Sequence, residues 1–155
     1  MRIKYGLIVG VLAGVMVASL SGCGKSDQDG KRKYLVIFSQ CNNAEPYRAA
    51  QNTLLKKLLA EHDDVELVIK DGQQDNSKQI RDIEDAIKLD PDVLIVAPNE
   101  RTPLTKVMGQ AVKAGIPVIC LERDIVDPNN YTTYIKCDNR KIGQLAGQFI
   151  VDHLT

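Results

Sequence analysis

Four short apolar runs set the limits on what this chain can fold into: Tyr34–Ser39 (YLVIFS), Val65–Lys70 (VELVIK), Val93–Ala97 (VLIVA) and Pro117–Leu121 (PVICL). They are rich in Val, Ile and Leu and largely unbroken, the pattern of strands buried on both faces. Segments with helical periodicity stand between them. Pro46 opens the first, Tyr47–Glu61, with Ala50, Leu54, Leu58 and Leu59 on one stripe. Proline is tolerated there because a first helical N–H has no partner to lose. Asn76 or Ser77 is placed to cap a second helix through Leu89, whose apolar face is Ile80, Ile83, Ala86 and Ile87. A third runs from about Pro103 to Ala114, with Leu104, Val107, Met108 and Ala111 on one side and Gly115 as its stop. After the turn at Asp127-Pro128-Asn129-Asn130, Tyr131–Ile135 predicts a fifth strand. Asn139–Leu154 predicts a fourth helix with Ile142, Leu145, Phe149 and Ile150 apolar.

The order β-α-β-α-β-α-β-β-α, with short connections, predicts an α/β fold: a parallel sheet with helices on both faces. In such sheets ligands bind beyond the carboxyl ends of the strands. Those ends are the loops Gln40–Glu45, Asp71–Asp75, Pro98–Thr102 and Glu122–Pro128, so their polar residues are the candidates for function.

The N-terminus is a different kind of sequence. Arg2 and Lys4 precede Gly6–Leu20, fifteen residues without a charge. That is shorter than the roughly 20 residues a bilayer span needs, and it fits the apolar core of an export signal. Leu20-Ser21-Gly22-Cys23 resembles a bacterial lipobox. The resemblance implies cleavage before Cys23, lipid on its thiol and an acylated new N-terminus, a stable anchor in the membrane. The alternatives are an uncleaved anchor helix or an ordinary signal peptide. Gly24–Lys33 reads as a flexible tether with a reach of roughly 30 Å. The working part is therefore expected outside the cytoplasmic membrane, near its surface.

Charge and cysteine content narrow the classes further. The chain has 20 basic and 20 acidic side chains. Removing residues 1–22 leaves 133 residues with 18 basic and 20 acidic groups, a net charge of −2. A faintly acidic body argues against nucleic-acid binding by counterion release. Cys41, Cys120 and Cys137 remain, an odd number without Cys-x-x-Cys spacing. Cys120 lies in a strand pattern and reads as a buried thiol; a disulfide between two of the three is the minority reading. His62 and His153 have no neighbours at metal-ligand spacing. The sequence holds no Gly-x-Gly-x-x-Gly, Walker or Gly-x-Ser-x-Gly motif, and no cofactor is expected.

The ordered set of loop and strand-end residues resembles one family. It comprises Phe38-Ser39-Gln40, Glu45-Pro46-Tyr47-Arg48, Asp71-Gly72-Gln73-Gln74, Asp92 through Pro98, Gly115-Ile116-Pro117-Val118, Glu122-Arg123, and Asp138-Asn139 with Gly143 and Gly147. Together they resemble the type I periplasmic sugar-binding proteins of bacterial ABC importers, the ribose- and galactose-binding family, and most closely its galactofuranose-binding branch. The resemblance implies two α/β lobes with sugar held between them. It divides the chain into a signal (1–22), a lipidated Cys and tether (23–33), a first lobe (34–137) and the opening helix of a second (138–155). The last helical pattern has no stop signal before Thr155, so the chain is expected to be a fragment of a longer receptor.

Sugars offer hydroxyls that donate and accept, and apolar C–H faces. A site needs planar charged groups for bidentate hydrogen bonds and an aromatic ring to stack on. Arg48 and Arg123 supply donor forks, Glu122 and Glu45 supply acceptors, Tyr47 supplies a ring, and Ser39 a hydroxyl. By resemblance Glu122-Arg123 occupies the family's Asp-Arg position. The Glu is one methylene longer, which moves the carboxylate about 1.5 Å, and Tyr47 stands where the closest branch has Trp. Each candidate has a plainer reading. Arg48 can pair with Glu45 in solvent, Glu122 with Arg123, Tyr47 can pack under its loop, and Ser39 can cap a strand end. Asn43, Asn99, Gln73 and Gln74 read as loop residues before ligands. The expected function is capture of a monosaccharide for an ABC permease. The alternative is presentation of sugar to a histidine kinase or chemoreceptor; a sugar-acting enzyme ranks below both.

Overall fold

In the computed structural model, residues 33–154 are described. The stretch expected to be an export signal, Cys23 and most of the expected tether lie outside them. Five strands and four helices follow in the expected order: β1 (Tyr34–Gln40), α1 (Pro46–Leu59), β2 (Val65–Asp71), α2 (Asn76–Lys88), β3 (Val93–Val96), α3 (Arg101–Lys113), β4 (Val118–Leu121), β5 (Thr133–Ile135) and α4 (Asn139–Leu154). The strands form one sheet in the order β2-β1-β3-β4-β5, every pair parallel. The first three crossovers carry helices. β4 reaches β5 instead through an irregular loop with one 3-10 turn, Pro128–Asn130.

Local chemistry sets the helix ends. The cap of α2 is Asp75, not Asn76 or Ser77: its extended backbone precedes the helix, and its carboxylate accepts from the N–H of Ser77 (2.7 Å) and Lys78 (3.1 Å). Asp serves as well as Asn or Ser in this role, and the residue with extended geometry takes it. The end of α3 is a Schellman motif. Gly115, at φ +86°, donates to the Val112 carbonyl, and Ile116 donates to that of Ala111. The left-handed turn suits a residue without Cβ.

The alternation along β1 divides its side chains between two unlike faces. On one face Ile37 meets Leu94, Val96, Val118 and Cys120 from neighbouring strands. Ile83 and Ala86 of α2 and Leu104, Val107, Met108 and Ala111 of α3 close over them, each at most 2% exposed. On the other face α1 packs alone. Phe38 is fully buried there, but beside it Leu54, Leu58, Ile95, Ile119, Leu121 and Ile135 line an open apolar groove of about 230 Å³. The leucine stripe expected to bury α1 is exposed, Leu54 at 57% and Leu58 at 50%. The residues that α1 does bury are polar, Arg48 and Asn52. They lie one turn apart on the side that meets the strand ends. Helix α4 buries no residue, and Ile142, Leu145, Phe149 and Ile150 are each more than half exposed.

The three cysteines among the described residues are free; Cys41 and Cys120 are buried and Cys137 is exposed. Burial, with the charge of Asp124 adding to it, pushes the Cys120 thiol up to about 11.

Candidate functional site

A sheet ordered 2-1-3-4-5 has its topological switch point between β1 and β3, where successive connections leave in opposite directions and open a crevice at the carboxyl ends. β1 ends at Gln40, β3 leads into Ala97-Pro98-Asn99, and β4 leads into Glu122-Arg123. The polar residues expected to act gather here.

Arg48, in the first turn of α1, is 4% exposed. Its Nη1 is hydrogen-bonded to Glu122 Oε2, across a sequence separation of 74 residues. Its Nε lies 3.7 Å from Glu45 Oε2, an ion-pair distance beyond hydrogen bonding, and has no hydrogen-bond acceptor. A buried donor of a charged group without an acceptor is costly and calls for an explanation. The Tyr47 ring is 57% exposed, and the Arg48 guanidinium carbon lies 5.5 Å from its centroid, within cation–π range.

Glu122 occupies an uncommon backbone state, φ +68°. For a residue with a Cβ this costs about 1–3 kcal/mol and persists only where the surroundings impose it. Two contacts from the β5 region impose it: the Glu122 N–H donates to the Ile135 carbonyl (2.7 Å), and the Tyr134 hydroxyl donates to the Glu122 carbonyl (3.0 Å). Burial, reinforced by the nearby Asp124 carboxylate, raises the Tyr134 phenol above its ordinary value. Glu122 and Tyr134, with Lys136 and residues 137–140, border an open concavity of about 480 Å³.

The plainer pairing of Glu122 with Arg123 is not what the structure contains. Arg123 turns to the β3 end, where its Nη1 donates to the Pro98 carbonyl (3.1 Å) and to that of Asn99. Glu45 is exposed, and its loop is folded by Asn42, whose side-chain oxygen accepts from the N–H of Ala44 and Glu45. Ser39, read as a ligand hydroxyl or a strand-end cap, is 1% exposed, and its hydroxyl accepts from Gln79 Nε2 (3.2 Å) inside the sealed face. Gln73 and Gln74 both take left-handed backbone, φ 55° and 60°, and with Asn42, Asn43, Ala44 and Asp71 line a second hollow of about 210 Å³.

Sequence reasoning missed Asn42, Asn52, Gln79 and Tyr134. Gln79 did leave a signal. It sits four and seven residues before Ile83 and Ala86, a polar side chain on an apolar helical stripe. Among the described residues no cluster of His, Cys, Asp and Glu is arranged to hold a metal ion. The chemistry of the Arg48–Glu122 pair, of the separate Arg123 fork and of the exposed Tyr47 ring suits a polyhydroxylated ligand.

Known proteins share this arrangement of elements. The ribose import binding protein of Bacillus subtilis (strain 168) is 27% identical over 129 residues, 83% of this chain and 42% of that protein. The galactofuranose-binding protein of Escherichia coli (strain K12) is 34% identical over 118 residues, 75% of this chain and 37% of that protein. The solved fructose-binding periplasmic domain of a hybrid two-component system superposes with a TM-score of 0.71 at 31% identity, covering 78% of this chain and 40% of that one. The chain thus spans about two fifths of the length of these relatives, which are named for binding and not for catalysis. Residues 36–155 match the family model described as periplasmic binding protein domain, and with most of its length so matched the chain belongs to that family.

Proposed function

We propose that this chain supplies the first lobe of an extracytoplasmic receptor that captures a monosaccharide for an ABC importer. The observation that carries the reading is Arg48. A buried guanidinium, already holding Glu122, retains an Nε–H without a hydrogen-bond acceptor at the mouth of the switch-point crevice. A sugar hydroxyl satisfies such a donor while donating to a carboxylate such as Glu122 or Glu45. Arg123 lies beside them as a second fork, and the exposed Tyr47 ring offers a face for sugar C–H groups. Relatives named for ribose and galactofuranose binding support the substrate class. In this reading residues 34–137 form the lobe and 138–155 open a second one; an α4 that buries no residue supports this. Lipidation at Cys23 would tether the receptor to the membrane; loss of palmitate incorporation in Cys23→Ser tests that part alone.

A single lobe desolvates one side of a sugar, so affinity is weak. Titration of the chain with a panel of monosaccharides, followed by ¹⁵N NMR, should move the signals of Arg48, Glu122 and Arg123 at millimolar sugar. Absence of any response across aldoses and ketoses, pyranose and furanose formers alike, would overturn the reading. A second reading, delivery of the sugar to a sensor kinase, is favoured by the likeness to a two-component periplasmic domain. Deletion of a neighbouring permease gene separates the two: loss of uptake supports import, and retained uptake with retained sugar-dependent signalling supports sensing.

A further inference from the structure

Gln79 is a fully buried primary amide on α2, too deep to touch a ligand. Its Nε2 lies 3.0 Å from the Ala97 carbonyl, 3.3 Å from the Ser39 carbonyl and 3.2 Å from Ser39 Oγ. Its Oε1 accepts from the backbone N–H of Asn99 at 2.9 Å. These backbone partners decide which way the amide points. An N–H can only donate and a carbonyl only accept, so the flipped amide would face two carbonyl oxygens with its own oxygen and one N–H with its NH₂. One side chain thereby joins the end of β1, the end of β3 and the start of the segment that follows β3.

That segment is the seat of Arg123. The carbonyls of Pro98 and Asn99 both accept from Arg123 Nη1. The Asn99 side chain ties the same segment to the Gln74 carbonyl (3.2 Å) and to Asn76 Oδ1 (2.9 Å). Gly72 packs close enough that a Cβ there would lie 3.2 Å from the Gln79 Cβ. Arg123 is itself exposed, and it has four rotatable side-chain bonds to order. Two carbonyls at a set position make it a pre-ordered fork, and preorganisation is what turns such a contact into affinity.

We propose that Gln79 is a positioning residue for the sugar site, acting through Asn99 and Pro98 on Arg123. The proposal rests on the sugar-binding reading above only for its ligand arm; the effect on Arg123 is readable without ligand. The test uses the full chain, ¹⁵N-labelled, in mild detergent. Gln79→Met keeps the length and removes every hydrogen bond. It should speed exchange of the Asn99 amide and of the Arg123 guanidinium protons, and weaken monosaccharide binding about tenfold, the order of one lost charge-assisted hydrogen bond. In an Arg123→Ala background the same substitution should cost no further affinity, since the groups form one path. Should Gln79→Met fail to fold, Gln79→Glu serves: its protonated acid keeps one donor where the amide has two, and its carboxylate keeps none. The Arg123 signals should then lie nearest wild type at low pH and diverge as pH rises. Arg123 guanidinium signals and exchange unchanged in either variant, with only the melting temperature lowered, would overturn the proposal and leave Gln79 a strand staple. If no monosaccharide perturbs the wild-type chain, the sugar reading fails, and the ligand-free Arg123 readout still decides the role of Gln79.

Discussion

The two faces of the sheet are built from the same strands and differ in what covers them. Over one face α2 and α3 close a mostly aliphatic core, each of its residues at most 3% exposed. Over the other, α1 stands alone, and its leucines edge an open apolar groove. The polar residues divide accordingly. The sealed face tolerates one buried amide, Gln79, with every hydrogen-bonding group matched. The α1 side buries Arg48 and Asn52 together with an amide cluster in which Gln40 donates to Gln51 and Asn52. The sealed core lies on one side of the sheet, and most of the candidate site residues lie at the end of the other.

Cutting back a leucine on each face gives the largest expected contrast. Leu104→Ala on the sealed face should cost about 2–5 kcal/mol in urea unfolding, because a cavity is left behind. Leu58→Ala beside the groove should cost less than about 1 kcal/mol. Equal losses would break the comparison. Next comes Arg48→Met, which leaves Glu122 without its partner and should abolish the sugar response, with affinity falling tenfold or more. Arg48→Lys should fail to restore it, since an ammonium cannot reproduce the planar fork. Asp75→Ala, removing the cap that starts α2, should cost about 1 kcal/mol without touching sugar binding. The thiols give a smaller, chemical contrast. At pH 8 iodoacetamide should label Cys137 and spare Cys120 in the native chain. Because the Cys120 value is raised on folding, its contribution to stability is fully present below about 9, the unfolded value, and is lost as pH rises toward about 11. A midpoint unchanged between pH 8.5 and 10.5 in wild type and Cys120→Ala alike would contradict that assignment. Asp85→Ala, breaking an exposed pair with Lys88, should leave the midpoint where it is.

Much of the fold was legible because strand and helix patterns are local. YLVIFS, VLIVA and PVICL mark β1, β3 and β4 nearly to the residue, and Gly115 marks the end of α3. The loop holding Glu122 and Arg123, and the loop that leads into Arg48 at the start of α1, followed from strand polarity. What escaped was whatever depends on the far side of a contact. The Ala50-Leu54-Leu58 stripe says that α1 is amphipathic, but not that the groove it shares with the sheet stays open. The Arg48–Glu122 pair joins residues 74 apart and has no local sign. The left-handed backbone of Glu122 is imposed by Tyr134 and Ile135, residues that read only as strand. Ser39 could be read as a ligand hydroxyl or a strand-end cap, and the amide that donates to it lies 40 residues away.

The strand order β2-β1-β3-β4-β5 bears on how such a chain is made. Once β1 and β2 have paired, β3 joins at the free side of β1, β4 at the free side of β3 and β5 at the free side of β4. No strand has to be inserted between two already joined. A polypeptide emerging from its N-terminus, whether from a ribosome or an export channel, can therefore enlarge this sheet in the order in which its residues arrive.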